Sequence, residues 1–295
     1  MVENHPDIRK QEYRGIACLV LSAFCFALMS MFVHLAGDLP SMQKSLFRNL
    51  VAVFFAIGIM KKQKVGFSGD KKNLGLLVIR SMFGTMGILC NYYAVDHLVL
   101  ADASMLNKMA PFFTLLFSFI LLREKISLVQ GLAVAGAFLG SLLILRPTGF
   151  DLTRLPAFVG LLGGMGAGIA YAFVRLLGTR EEKGPFIVFF FSAFSVLILL
   201  PFVIMGYHPM QWWQLGSLLL AGLAATGGQF GVTMAYCYAP AREISVYDYS
   251  QIIFSTIWGF LFFGQIPDAM SLAGYVIICA MGIWIFVYNK KKAQA

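Results

Sequence analysis

Ser104, Asn107, Pro111, Thr114 and Ser118 follow one another every three or four positions, and a shift of 141 residues lays them on Ser245, Asp248, Ile252, Ser255 and Gly259. The offsets are 0, 3, 7, 10 and 14 in both sets, one face of an α-helix. Hydroxyls, carboxamides and a carboxylate on such a face, with Lys108 beside them, can hold a polar solute by hydrogen bonds and charge. They supply no catalytic constellation. There is no Ser/His/Asp or HExxH arrangement and no GxxxxGK[ST] loop for ATP. His5, His34, His97 and His208 lack metal-ligand spacing, so no metal or other cofactor is expected.

The elements that carry these stripes are apolar. Of 295 residues, 59% are hydrophobic and 13% charged, and mean hydropathy is +0.77, which describes a polytopic membrane protein. A spanning helix needs about 20 apolar residues. Spans are expected near 15–36, 41–60, 73–95, 102–122, 126–145, 156–177, 185–205, 214–236, 243–263 and 267–287. Residues 1–14 read as a polar cytoplasmic tail without a signal peptide and 288–295 as a basic tail, leaving no soluble domain. The two stripes fall in the fourth and ninth spans. Each half, 15–145 and 156–287, holds five spans. Five is odd, so the second half enters the bilayer from the opposite side. The fold class expected is an all-α integral membrane protein of ten transmembrane helices in two inverted five-helix repeats.

The net charge of +9 marks topology, not nucleic acid. With the N-terminus in the cytoplasm, Arg9, Lys10, Arg14, Lys61, Lys62, Lys64, Lys71, Lys72, Arg123, Lys125, Arg180, Lys183, Arg242, Lys290, Lys291 and Lys292 lie inside, 16 in all. Only Arg146 and Arg154 lie outside. That bias fits a cell-membrane protein with both termini cytoplasmic. The five cysteines, Cys18, Cys25, Cys90, Cys237 and Cys279, all fall within spans and build no disulfide framework.

Gly160, Gly164 and Gly168 in span six, Gly222, Gly227, Gly228 and Gly231 in span eight, and Gly84 and Gly87 in span three allow close helix approach. Static packing and sliding faces both fit them. Spans five and ten are almost wholly apolar and are left for lipid or for a second copy in a homodimer.

Charges inside spans are Arg48, Arg80, Lys108, Arg175 and Asp248. Arg175 lies near a span end and can snorkel; Arg48 is open between snorkelling and a buried role. Taking the spans as straight rods, Lys108 lies roughly 9 Å from the outer face and Asp248 roughly 9 Å from the inner one, a height gap of about 12 Å. Arg80 is therefore the expected partner of Asp248, as a structural pair or as a switchable coupling pair that passes a proton. Lys108, with no acid at its depth, is expected to meet a carboxylate or phosphate of the substrate. Pro111 can kink span four beside the stripe. Asn91 and Gln229 add hydrogen-bonding capacity near the middle. The substrate-binding candidates are thus Ser104, Asn107, Lys108, Pro111, Asn91, Gln229, Ser245, Asp248 and Ser255.

The stretch AVDHLVLADASMLNKMAPFFTLLFSFILLREKISLVQGLAVAGAFLGSLLIL, from Ala94 to Leu145, resembles an EamA domain of the drug/metabolite transporter superfamily. So does APAREISVYDYSQIIFSTIWGFLFFGQIPDAMSLAGYVIICAMGIWIF, from Ala239 to Phe286. The shared elements are a short hinge, an Ala/Ser-rich entry, Pro111, the Glu124 turn and a Gly-punctuated last helix. The second copy carries Ile252 for the proline and Gln265 for the glutamate. The resemblance implies a secondary transporter of a small metabolite by alternating access, with a cavity lined by spans one, three, four, six, eight and nine. It implies that spans two and seven are peripheral, which lowers the interest of Arg48. A flippase or membrane-embedded enzyme of related fold is the competing reading.

Overall fold

In the computed structural model, residues 6–66, 71–122, 127–145, 155–238 and 245–294 are described, and among them all regular structure is helical. The Glu124 turn, the hinge at 239–244, and Arg123, Lys125, Arg146, Arg154 and Arg242 lie outside the described residues. So does the side chain of Ser245. The helices are α1 Pro6–Leu35, α2 Ser41–Lys62, α3 Leu74–His97, α4 Leu100–Asn107, α5 Ala110–Leu122, α6 Leu128–Leu145, α7 Leu155–Thr179, α8 Gly184–Met205, α9 Trp212–Tyr238, α10 Ser250–Phe263 and α11 Ala269–Gln294. Short 3-10 turns, Lys71–Asn73 and Ser245–Tyr249, precede α3 and α10.

Among the described residues, eight helical stretches are long and apolar enough to cross a membrane: Tyr13–Leu35, Ser41–Lys62, Lys71–His97, Leu100–Leu121, Leu155–Thr179, Gly184–Met205, Trp212–Ala235 and Ala269–Tyr288. The span expected at 126–145 is a shorter apolar helix, Leu128–Ile144. The one expected at 243–263 is the 3-10 turn followed by the 14 residues of α10. Both tails differ from expectation. α1 begins at Pro6 and α11 runs to Gln294, because nothing in the polar flanks breaks the helix once the apolar turns have nucleated it. Between α1 and α2 the chain does break. Gly37 adopts the left-handed φ of 70°, and Pro40 stands in extended backbone just before α2.

Packing partners obey the 141-residue shift. α1 lies against α9 and α10; its counterpart α7 lies against α3 and α5. α2 packs on α8 and α6 on α11, each helix against its own counterpart, and α4 packs on α10, the counterpart of α5. The α3–α7 contact is backbone on backbone. A Cβ on Gly87 would sit 3.0 Å from the Ala167 nitrogen, and one on Gly166 3.0 Å from Phe83 O. Ser22 closes the equivalent α1–α9 contact by donating to Gly228 O at 2.6 Å. Small residues at these crossings draw α1, α3, α7 and α9 around one central space.

Candidate functional site

The fourth span is broken where its polar residues cluster. α4 ends at Asn107, Lys108 caps it with φ −71° and ψ 3°, and α5 begins at Ala110. Pro111 has no N–H to return to the Asn107 carbonyl, and its ring crowds that turn. The Met109 N–H donates to Leu106 O at 3.2 Å and the Phe112 N–H to Met109 O at 3.1 Å, three-residue bonds that tighten the chain. α7 seats this break. A Cβ on Gly164 would collide with Leu106 O, and one on Gly168 would lie 2.5 Å from the Phe113 Cβ. Thr114 shares its hydroxyl between Ala110 O at 2.8 Å and Gly168 O at 3.0 Å, tying α5 to the same glycine.

The second half repeats the irregularity. Asp248 stands in the 3-10 turn directly before α10, and the shift places Asp248 on Asn107 and Tyr249 on Lys108. Ile252 occupies the proline's place, so the proline sharpens the break without being required for it. At the far end of α10, Gly264 turns back with φ 61°. The Gln265 carbonyl then accepts from the Leu100 N–H at 2.9 Å, capping the first turn of α4 from the other half.

Between the breaks lies a cavity of about 80 Å³. Its polar lining is Arg48 from α2; Arg80, Asn91 and Tyr92 from α3; Asn107 and Lys108 from the first break; Tyr171 from α7; Gln229 from α9; Asp248 from the second break; and Gln251 from α10. Phe191 of α8 forms part of the wall. Asn107, Lys108, Asn91, Gln229, Asp248 and Arg80 are therefore brought together. Ser104, Pro111 and Ser255 do not line the cavity. Ser104 and Ser255 instead place their hydroxyl oxygens 2.7 Å apart, so the two stripes meet and satisfy each other.

Asp248 pairs with Lys108, with Nζ to Oδ2 at 2.7 Å. This overturns the expectation that Arg80 is the partner and that Lys108 has no acid within reach. The height estimate treated both spans as upright rods. α4 starts two residues earlier than expected, at Leu100, which lowers Lys108 by about 3 Å at 1.5 Å per residue. Asp248 sits in a 3-10 turn, which rises about 2.0 Å per residue. The flexible four-carbon lysine stem crosses what remains.

Arg80 lies instead over Phe191, its guanidinium carbon 3.7 Å from the ring centroid. Gly84 clears the slot: a Cβ there would be 2.9 Å from the Phe191 ring and 3.2 Å from Arg80 Nη1. Arg48 turns toward the same ring at 6.0 Å and is buried, not snorkelling. Spans two and seven thus both reach the cavity, contrary to the resemblance. Arg48, Tyr92, Phe191, Tyr171 and Gln251 are polar or aromatic lining residues that sequence reasoning passed over or played down. For Arg48, the signal was available as a charge well inside a span.

A second ion pair sits where α2 begins and α3 ends. Lys44, fully buried, reaches Asp96 at 2.6 Å. Beside it, His34 Nδ1 meets Val95 O at 2.8 Å. Gln43 exchanges two hydrogen bonds with the His208 backbone, at 2.9 and 3.1 Å. Both charges lie at span margins, where a search for charges inside spans does not look.

The family model of the EamA-like transporter family matches the chain twice, over residues 13–146 and 154–288. The chain belongs to that family. It is a multi-pass membrane protein. It is 32% identical over 266 residues to the pseudopaline exporter CntI of Pseudomonas aeruginosa, covering 90% of this chain and 93% of that one. It is 29% identical over 278 residues to solute carrier family 35 member G1 of Mus musculus, covering 90% of this chain and 76% of that one. A solved crystal structure superposes with a TM-score of 0.66 over 94% of this chain and 98% of its own length; at 13% identity it shares the fold.

Proposed function

We propose that the protein is a secondary transporter that moves a small organic metabolite bearing a carboxylate or phosphate, by alternating access through the central cavity. The observation that carries this reading is the convergence of Lys108, Asp248 and the two arginines on one buried space between two interrupted helices. Interrupted helices around a polar midpoint are how a carrier offers backbone and charge to a solute inside a bilayer. The shift-related packing supports ten spans in two inverted repeats, 15–145 and 156–287, and the Lys and Arg bias supports both termini in the cytoplasm. The cavity in this conformation is far smaller than the ~300 Å³ of a typical small-ligand site. The carrier therefore widens to load, and the glycine-lined seat of α7 under the break is the joint that lets it. Similarity to a named exporter supports a transport role at the cell membrane.

Lys108–Asp248, rather than Arg80–Asp248, serves as the switchable pair. A proton on Asp248 would release Lys108 to the substrate's anionic group, and deprotonation would restore the pair and expel the solute. Proton and solute movement are linked through one carboxylate. The test is a thermal-stability screen of purified protein against a metabolite library, followed by counterflow of the hits in proteoliposomes. A dose-dependent rise in Tm and saturable exchange of labelled solute are expected. Hits that bind but never exchange would overturn the carrier reading.

A further inference from the structure

Arg48 and Arg80 turn toward the Phe191 ring, at 6.0 and 3.7 Å, from two different helices. They are 4% and 2% exposed. Nε of Arg48, and Nε and Nη1 of Arg80, are buried without a hydrogen-bond partner. A cation–π contact returns less than burying a charged donor costs. Asp248 does not offset them, being closed on Lys108 at 2.7 Å. Among the cavity's lining residues, Arg48, Arg80 and Lys108 stand against Asp248 alone, leaving two unmatched positive charges.

We propose that Arg80, stacked on Phe191, and Arg48, which faces the same ring and donates from Nη1 to Asn49 Oδ1 at 3.4 Å, form an anion subsite that takes an organic dianion, either a pair of carboxylates or one phosphate monoester. The inference rests on the cavity being the substrate path. A guanidinium presents a planar fork of donors that fits a carboxylate or phosphate through two parallel bonds, and the aromatic face fixes its plane. Two such forks with open N–H groups match a ligand with two negative charges and several acceptor oxygens. One fork beside a neutral lysine–aspartate pair would suit a monoanion. Gly84 keeps the slot between Phe191 and Arg80 open.

The test uses the full chain in detergent, at constant ionic strength, with succinate and glycerol 3-phosphate as dianionic probes, lactate as the monoanion and glycerol as the neutral control. At least one dianion should raise Tm by several degrees with dose while lactate and glycerol do not; which dianion acts tells a dicarboxylate from a phosphate. R48Q and R80Q should each remove that shift without lowering the ligand-free Tm, since each deletes an unmatched charge. R80K, which keeps the charge and loses the fork, should weaken the response at least tenfold in midpoint concentration and remains informative if R80Q folds poorly. The subsite is overturned if neither dianion exceeds lactate, or if R48Q and R80Q respond as the wild type does. A neutral or monoanionic solute that exchanges equally well through wild type and R80Q would sink the subsite and leave the carrier standing. Failure of any solute to exchange would sink the carrier reading itself.

Discussion

The cavity holds two kinds of buried cation, and they differ in how they were made tolerable. Lys108 meets a carboxylate delivered by the other half of the chain at 2.7 Å. Arg48 and Arg80 meet an aromatic ring and leave N–H groups unfilled. The first arrangement is complete within the protein. The second is incomplete, and in a low-dielectric interior incompleteness is stored affinity for an anion. On the proposed reading, binding and switching are divided between neighbouring charges.

The sharpest way to break this contrast is to remove one partner of the closed pair. Asp248→Asn should strand Lys108 and destabilise the protein by about 3–5 kcal/mol, read as a large fall in Tm. Adding Lys108→Met should recover much of it. A D248N protein as stable as wild type would show that the pair contributes nothing. The open side should behave oppositely: Arg80→Met should leave the ligand-free Tm unchanged or raise it, and a fall comparable to that of D248N would make the two sides alike.

Next in size is the seat of the break. Gly164→Ala forces a methyl into Leu106 O and should cost about 1–3 kcal/mol. Gly131→Ala, where a Cβ meets nothing within 4 Å, should be neutral or stabilising by up to about 1 kcal/mol. Equal melting shifts for the two would mean that α7 does not hold the break. Smallest is the cap. Gln265→Ala should cost about 0.5–2 kcal/mol by orphaning the Leu100 N–H, whereas Gln265→Glu keeps an acceptor oxygen and should be tolerated, as thermal melts of both variants would show.

Much of this was legible from residue types and spacing. Apolar runs gave the helices, and Pro111 pointed at the break. Charges and amides at span depth pointed at Asn91, Asn107, Lys108, Gln229 and Asp248, all of which line the cavity. The pairing of Asp248 was not legible, because depth along an ideal rod says little about a chain that stops being helical at that residue. Ser104 and Ser255 were misjudged for a related reason. A polar stripe can face a second polar stripe as readily as a cavity, and only the crossing of α4 and α10 decides which. Arg48 was discounted on a resemblance to other chains that made spans two and seven peripheral, although nothing in its own surroundings called for it.

Gln265 carries one consequence further. Its joint with Leu100 needs an oxygen and is indifferent to whether that oxygen is charged. The residue 141 positions earlier is Glu124. After a duplication, a position of that kind is free to drift between acid and amide, as residues 124 and 265 now differ. The two halves can then acquire different electrical characters on one mechanical plan, the kind of asymmetry a vectorial machine needs and a perfectly repeated one lacks.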